Sequence, residues 1–253
     1  MEVTNNIKKM VASLGSIKGR REENCFIAEG TKCVMDTWKH FSCRYLFATS
    51  QWIEKYAHEF NGINAIVVKK ADIERMSQLT TPSDVIAVYE QPKYELDCSQ
   101  LKNQLTILLD RVQDPGNLGT IIRIADWFGI NNIVCSRDTV DVYNPKVVQA
   151  TMGAISRVKV HYCDLVELIN ANEDIPVYGT FLDGDNMYSM DLSPCGFLVM
   201  GNEGQGISDE VGKLVTRRLF IPSYPADVST SESLNVSMAT AIAVAEFRRR
   251  LMK

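Results

Sequence analysis

A Gly201-Asn202-Glu203-Gly204-Gln205-Gly206 run follows the apolar stretch Phe197-Leu198-Val199-Met200. Glycine tolerates dihedrals closed to other residues, so such a run after a strand reads as a tight loop that lets backbone approach a ligand closely. Some thirty residues on, Glu232-Ser233-Leu234-Asn235-Val236-Ser237 opens the final helical pattern. It sets polar side chains beside the free N–H groups of a helix start. Two such loops at successive strand ends describe a cofactor pocket.

The pocket is not that of a nucleoside triphosphate. A phosphate-gripping loop needs Lys and Ser/Thr directly after its last glycine, whereas Gly206 is followed by Ile207 and Ser208. A dinucleotide is poorly supported as well. Gly201, Gly204 and Gly206 are not in G-x-G-x-x-G order, and no acidic residue ends a strand about twenty residues further on.

A further segment, residues 105–130, narrows the chemistry. It reads as a buried strand, a polar turn at Asp114-Pro115-Gly116-Asn117, and a helix with apolar residues at Ile121, Ile124, Ala125 and Phe128. Asn117 stands where a helix N-cap is expected. Arg123 has Ile121, Ile122 and Ile124 as neighbours, and a cation in that company is expected to reach a partner or a site rather than bulk water.

Together these segments resemble the three motifs of the SpoU (TrmH-type) family of knotted RNA 2'-O-ribose methyltransferases. The first matches as Asp114-Pro115-x-Asn117-x-Gly119-x3-Arg123, the second as Met200-Gly201-Asn202-Glu203-Gly204-x-Gly206. The third matches as Ile221-Pro222 and Glu232-Ser233-Leu234-Asn235-Val236-Ser237. Each motif is weak alone; their order over roughly 150 residues is specific. Two features depart from the family: Ile124 stands where threonine is usual, and the connection from Pro222 to Glu232 is long, carrying Tyr224, Pro225 and Asp227.

The resemblance implies S-adenosylmethionine as cofactor, RNA (ribosomal or transfer) as substrate, and a homodimer built through the C-terminal domain. It implies catalytic roles for Asn117, Arg123, Glu203 and Asn235, and cofactor contacts at Gly201, Ile221 and Leu234, with Thr180 a further candidate. With the methyl group already activated on a sulfonium, the enzyme must position and activate a poor nucleophile, the ribose hydroxyl. A guanidinium resists deprotonation, so Arg123 is better read as a clamp on phosphate and oxyanion than as a base. Glu203 would fix Asn117, Asn235 or the substrate. Two other classes stay open: a binding module that keeps the fold without its chemistry, and a small-molecule enzyme on a doubly wound fold.

Composition fits this reading. The 253 residues are 45% hydrophobic and 23% charged, ordinary for a globular chain of one large or two ordinary domains. No run reaches the length of a membrane span and the first residues lack a signal-peptide core, so no membrane partner is expected. Seven scattered cysteines without a C-x-x-C pair argue against disulfides and structural zinc and for a reducing cytoplasm; three scattered histidines add no metal constellation. The net charge of −4 leaves RNA binding to local patches. Lys18, Arg20 and Arg21 form one, read as a loop leading into a strand; Arg248, Arg249, Arg250 and Lys253 form another.

These residues must be held by an α/β chain. Strands are expected at 25–29, 44–49, 65–69 and 84–89, with helices at 6–14, 31–41, 51–60 and 71–79. This first block, residues 1–92, resembles the small α/β substrate-binding domain that precedes the catalytic domain in the family. Residues 93–103 read as a linker. The second block, 104–253, alternates strands at 105–109, 132–135, 157–162, 176–181, 197–201 and 218–221 with helices, the last at about 232–251. That alternation implies a parallel sheet covered on both faces. Nothing in the pattern reveals a knot; the deep trefoil knot is what the resemblance implies.

Overall fold

Uninterrupted apolar runs become central strands here, and side-chain oxygens start several of the helices, among them those that open at Asn5, Ile17, Pro115 and Val236. The structure is a computed structural model that describes residues 3–60, 65–225, 228 and 232–252. Asp227 of the long connection and Lys253 of the basic C-terminus lie outside the described residues. The chain divides into two units, Met1–Lys93 with Asp141–Ser156, and Tyr94–Val140 with Arg157–Lys253.

The first unit opens with α1 (Asn5–Ser13), capped by Thr4, and α2 (Ile17–Glu23), capped by Ser16. There follow β1 (Cys25–Glu29), α3 (Thr31–Thr37), β2 (Cys43–Ala48), α4 (Ser50–Tyr56), β3 (Ile66–Val67), α5 (Lys70–Met76) and β4 (Val85–Glu90). The sheet order is β1-β4-β2-β3, with β4 antiparallel to β1 and β2 and β2 parallel to β3. Its core joins Val11 and Leu14 of the N-terminal segment to Ile27, Phe47, Ile73 and Ile86.

The loop expected at Lys18–Arg21 is corrected: these residues lie inside α2. The Ser16 side chain accepts from the Gly19 N–H and starts the helix, and Gly19 is buried within it. Arg20 is 2% exposed. Its guanidinium donates to Asp141 Oδ2 at 2.8 and 2.6 Å and to the carbonyls of Leu14 and Gly15. Arg20 therefore works inside the first unit and has no free edge for a phosphate, while Lys18 and Arg21 are exposed.

The second unit begins with α6 (Cys98–Leu101), a short helix inside the expected linker whose Leu101 is fully buried. Then come β5 (Leu105–Leu109), α7 (Pro115–Trp127) and β6 (Asn132–Ser136). The chain supplies α8 (Pro145–Ala150) to the first unit and returns as β7 (Lys159–Cys163), α9 (Leu165–Asn170), β8 (Val177–Asn186), β9 (Gly196–Met200), α10 (Asp209–Gly212), β10 (Arg217–Phe220) and α11 (Val236–Arg249). Six strands form one parallel sheet in the order β10-β8-β9-β5-β6-β7. The central strands β5 and β9 are buried along their whole length. Two bounds differ from expectation in ways that matter. β8 runs on to Asn186, and α11 starts at Val236 because Asn235, not an earlier residue, caps it.

The basic C-terminal end is also structural. Glu246, 5% exposed, accepts from Arg249 at 2.7 and 2.9 Å and from Arg250 Nε at 2.8 Å. Arg250 also donates to the carbonyls of Met187, Tyr188 and Met190, and Arg248 Nε to that of Phe128. Hydrogen bonds from Arg249 and then Arg250 hold the Glu246 carboxyl down at about 2. No helix among the described residues is long and apolar enough to cross a membrane.

Candidate active site

The candidate site is assembled at the C-terminal ends of the central strands, where open parallel sheets present their ligand-binding loops. At the end of β9 the chain turns back on itself: Asn202 and Gly206 exchange backbone hydrogen bonds at 2.9 Å in both directions. The Asn202 Oδ1 accepts from the N–H groups of Gly204 and Gln205, at 3.0 and 3.1 Å. Closure this tight explains Gly201, where a Cβ would stand 2.2 Å from the Gly206 carbonyl carbon. The close approach at Gly201 is thus to the loop's own backbone. The same loop is tied to β5, because the buried Asp110 accepts from the Ser208 N–H at 2.6 Å.

Asn117 is not the cap of its helix. Asp114 is, accepting from the Asn117 N–H at 2.8 Å with Pro115 in the first turn, where proline's missing N–H costs nothing. This frees the Asn117 side chain, 8% exposed, to do something else. Its Nδ2 donates to Glu203 Oε1 at 2.9 Å, and its Oδ1 accepts from Asn235 Nδ2 at 2.9 Å. Asn235 in turn caps α11: its Oδ1 accepts from the Ser237 N–H and hydroxyl and the Met238 N–H. One residue from each sequence motif thereby enters a single hydrogen-bonded line, Glu203–Asn117–Asn235.

The electrostatics follow from that line. Burial pushes the Glu203 carboxyl up, but hydrogen bonds donated by Asn117 and by backbone N–H groups, including those of Asp114 and Gln113, outweigh it and hold the group below its ordinary value. Glu203 is therefore an anion fixed in place, an acceptor rather than a proton source.

Arg123 stands apart. It is exposed on α7 and makes no hydrogen bond or ion pair with any described residue, so of the partner or site expected for it, no described residue is the partner. Six residues at about 100° each carry it some 120° round the helix from Asn117. Around the glycine loop, Thr180 is half-buried and its hydroxyl reaches only Met200 Sδ at 3.8 Å. Ile221 is half-buried and Leu234 is 49% exposed. Among the described residues no group of three or more His, Cys, Asp or Glu could hold a metal ion, and all seven cysteines are free.

Sequence reasoning missed three residues that hold the glycine loop: Asp110, Asn202, and Arg111, whose carbonyl accepts from Asn202 Nδ2 at 2.8 Å. Asn202 was visible inside the glycine loop, and Asp114-Pro115 carries the signature of a cap before a first-turn proline. Asp110 and Arg111 left no pattern, since strand-end residues have no period.

A parallel sheet whose strand-end loops bring three motifs together in the Glu203–Asn117–Asn235 line is the arrangement expected of a SpoU-type methyltransferase domain. The SpoU rRNA Methylase family matches residues 104–245, and an MRM3-like substrate binding domain matches residues 5–87. The chain belongs to the SpoU rRNA methylase family. It is similar to the 23S rRNA (guanosine(2553)-2'-O)-methyltransferase RlmP of Bacillus subtilis, 29% identical over 91% of each chain. Among solved structures it resembles a putative RNA methyltransferase of the TrmH family from Porphyromonas gingivalis, 38% identical with a TM-score of 0.86 over 99% of this chain and 100% of that one. It also resembles an AdoMet-bound rRNA methyltransferase from Sinorhizobium meliloti, 29% identical with a TM-score of 0.85 over 100% and 98%.

Proposed function

We propose that this protein transfers the methyl group of S-adenosylmethionine to a ribose 2'-hydroxyl of ribosomal RNA. The observation that carries the reading is the Glu203–Asn117–Asn235 line, 2.9 Å at each link, which unites the three motifs. The relatives' names favour ribosomal over transfer RNA as substrate. The residues present fit the cofactor. Leu234 offers an uncovered apolar wall, Ile221 a half-buried one, and Thr180 a hydroxyl with only a weak sulfur contact. Gly201 contributes its backbone. When bound, S-adenosylmethionine supplies a methyl group already activated on sulfur.

The chain's own residues then do the rest. Arg123, its fork unengaged, grips phosphate and stabilises the oxyanion that develops on the ribose. The amides of Asn117 and Asn235 each keep one N–H beyond those used in the line, and these orient the sugar. Residues 1–92 bind the RNA substrate, with Lys18 and Arg21 as phosphate contacts, and 93–103 connect them to the methyltransferase domain, 104–253. That domain carries the family's trefoil knot and pairs with a second copy in a homodimer. Exposed Trp127 on α7 and Met238 on α11, 84% and 53% exposed, support the pairing. A reducing cytoplasm suits seven free cysteines.

The test is transfer of labelled methyl to unmodified 23S rRNA and, separately, to unmodified tRNA, with nuclease digestion to recover the product nucleoside. Label in a 2'-O-methyl nucleoside of ribosomal RNA is the expected result. Label only in tRNA would move the substrate class. Cofactor binding without transfer to either RNA would favour the binding module.

A further inference from the structure

Arg111 sits where strand β5 ends, three residues ahead of the helix cap Asp114, and its backbone is left-handed with φ of 59°. Among the described residues only Asn24 and Met152 share that sign without being glycine. Asparagine tolerates it through local hydrogen bonds; an arginine gains nothing of the kind, so the surrounding structure must impose it. Both sides of the residue are clamped. Its N–H donates to Ser136 Oγ at 2.9 Å and its carbonyl accepts from Asn202 Nδ2 at 2.8 Å. Asn202 is the residue that closes the turn bearing Glu203. The backbone of Arg111 is therefore fixed rigidly to the candidate catalytic line.

Its side chain is paired in charge but not hydrogen-bonded. The Nε is buried and forms an ion pair with Asp110 Oδ1 at 3.6 Å, too long for a hydrogen bond. The other oxygen of Asp110 is engaged by the Ser208 N–H. The side chain as a whole is 32% exposed, and the guanidinium makes no hydrogen bond to any described residue. The pairing with Asp110 runs through Nε alone and lacks the two-pronged geometry that guanidinium and carboxylate favour. Arg111 thus keeps its fork open, on a strained backbone, at the ligand-binding edge of the sheet. Exposed Arg137, the residue after Ser136, is the next cation along that edge. A planar fork of N–H donors at such a place is complementary to a phosphate.

We propose that Arg111 is a substrate-binding residue that grips an RNA phosphate beside the ribose to be methylated; the proposal rests on the RNA methyl-transfer reading above. The decisive variant is Arg111→Gly, because glycine accepts a φ of 59° without strain and so removes the fork without endangering the fold. Binding of an unmodified 23S rRNA transcript is measured across a salt series, with S-adenosylmethionine affinity by calorimetry, methyl-transfer kinetics and the melting temperature. The expected result is a rise of about tenfold in KM for RNA, equivalent to one lost charged contact. The log–log salt slope falls by about 0.7 to 0.9, the share of one phosphate. Cofactor affinity and melting temperature hold. Arg111→Lys restores the salt slope but not the full KM, since a point charge replaces a fork. An unchanged slope and KM in Arg111→Gly overturns the proposal while wild-type transfer stands, and so does a loss confined to cofactor affinity. A wild-type protein that transfers no methyl to RNA removes the underlying reading, and this proposal with it.

Discussion

Asn235 decides the polarity of the amide line through the site. Its oxygen is taken by the N–H groups and hydroxyl at the start of α11, so its NH2 must face Asn117. Asn117 then presents oxygen to Asn235 and NH2 to Glu203, which accepts it together with two backbone N–H groups, bonds that favour its ionised form. The sign of the pH effect follows. A carboxyl held below its ordinary value stays charged as pH falls through 4.5, and what it contributes is lost only below that. The acid limb of the rate profile between pH 7 and 5 is therefore expected to be the same in Glu203→Gln as in wild type, while the Gln variant's kcat is lower throughout. A flattened limb in the variant would make Glu203 a titrating group in that range. Arg123 gives the sharper test at this scale. Exposed and unbonded, it contributes little to folding, so Arg123→Ala is expected to keep the melting temperature and cofactor affinity yet lose roughly two or more orders of magnitude in methyl transfer. Arg123→Lys fails too, a point charge being no substitute for a fork. Near-normal turnover in either variant would remove the arginine from the mechanism.

Each helix that positions a site residue owes its start to one side chain, and those starts separate what was legible from what was not. The strands at 25–29 and 105–109 were readable to the residue because buried runs of apolar residues carry their own boundaries. The motif residues were readable because family patterns record chemistry. Caps compete locally, so Asp114 rather than Asn117 starts α7, Asn235 starts α11, and Ser16 draws Lys18–Arg21 into a helix despite Gly19. Arg20 reads as a surface cation from the sequence because its partner, Asp141, is more than a hundred residues away along the chain. In the C-terminal cluster the partner is local instead: the carboxylate of Glu246 gathers Arg249 and Arg250 from within one helix turn. That clamp makes a stability prediction. The carboxyl is held at about 2, below its ordinary 4.5, so its contribution is complete above pH 4.5 and is lost as pH falls towards 2. Glu246→Gln is expected to lower stability by about 1–3 kcal/mol at pH 7, the worth of hydrogen bonds to a charged group. It should also lose less stability than wild type between pH 4.5 and 2 in urea melts. Parallel acid-melting curves for the two proteins would show that the clamp does not hold the end of α11.

At the scale of the molecule, the second unit leaves apolar surface that its own core does not use. Buried Val236, Ala243, Val244 and Phe247 account for one side of α11. Met238 is 53% exposed, and Ala241, Ile242 and Ala245 are only partly covered. α11 is tied to α7 where Arg248 reaches the Phe128 carbonyl, and Trp127, next to that carbonyl's residue, is 84% exposed. A tryptophan that open, beside a helix with a second apolar side, is costly in water and typical of a contact between proteins. The expected assembly is a dimer of about 57 kDa, twice the 28.4 kDa chain, by light scattering at micromolar concentration. Trp127→Glu is the matching variant. The ring is already solvated in the single chain, so the charge costs the fold little, but burying it against a second copy without a partner would be strongly unfavourable. Its expected behaviour is a halved mass at the same micromolar concentration, with a melting temperature equal to that of wild type once both proteins are extrapolated to high dilution. A wild-type protein that scatters as 28.4 kDa and still methylates RNA would refute the dimer and leave Trp127 to some other contact.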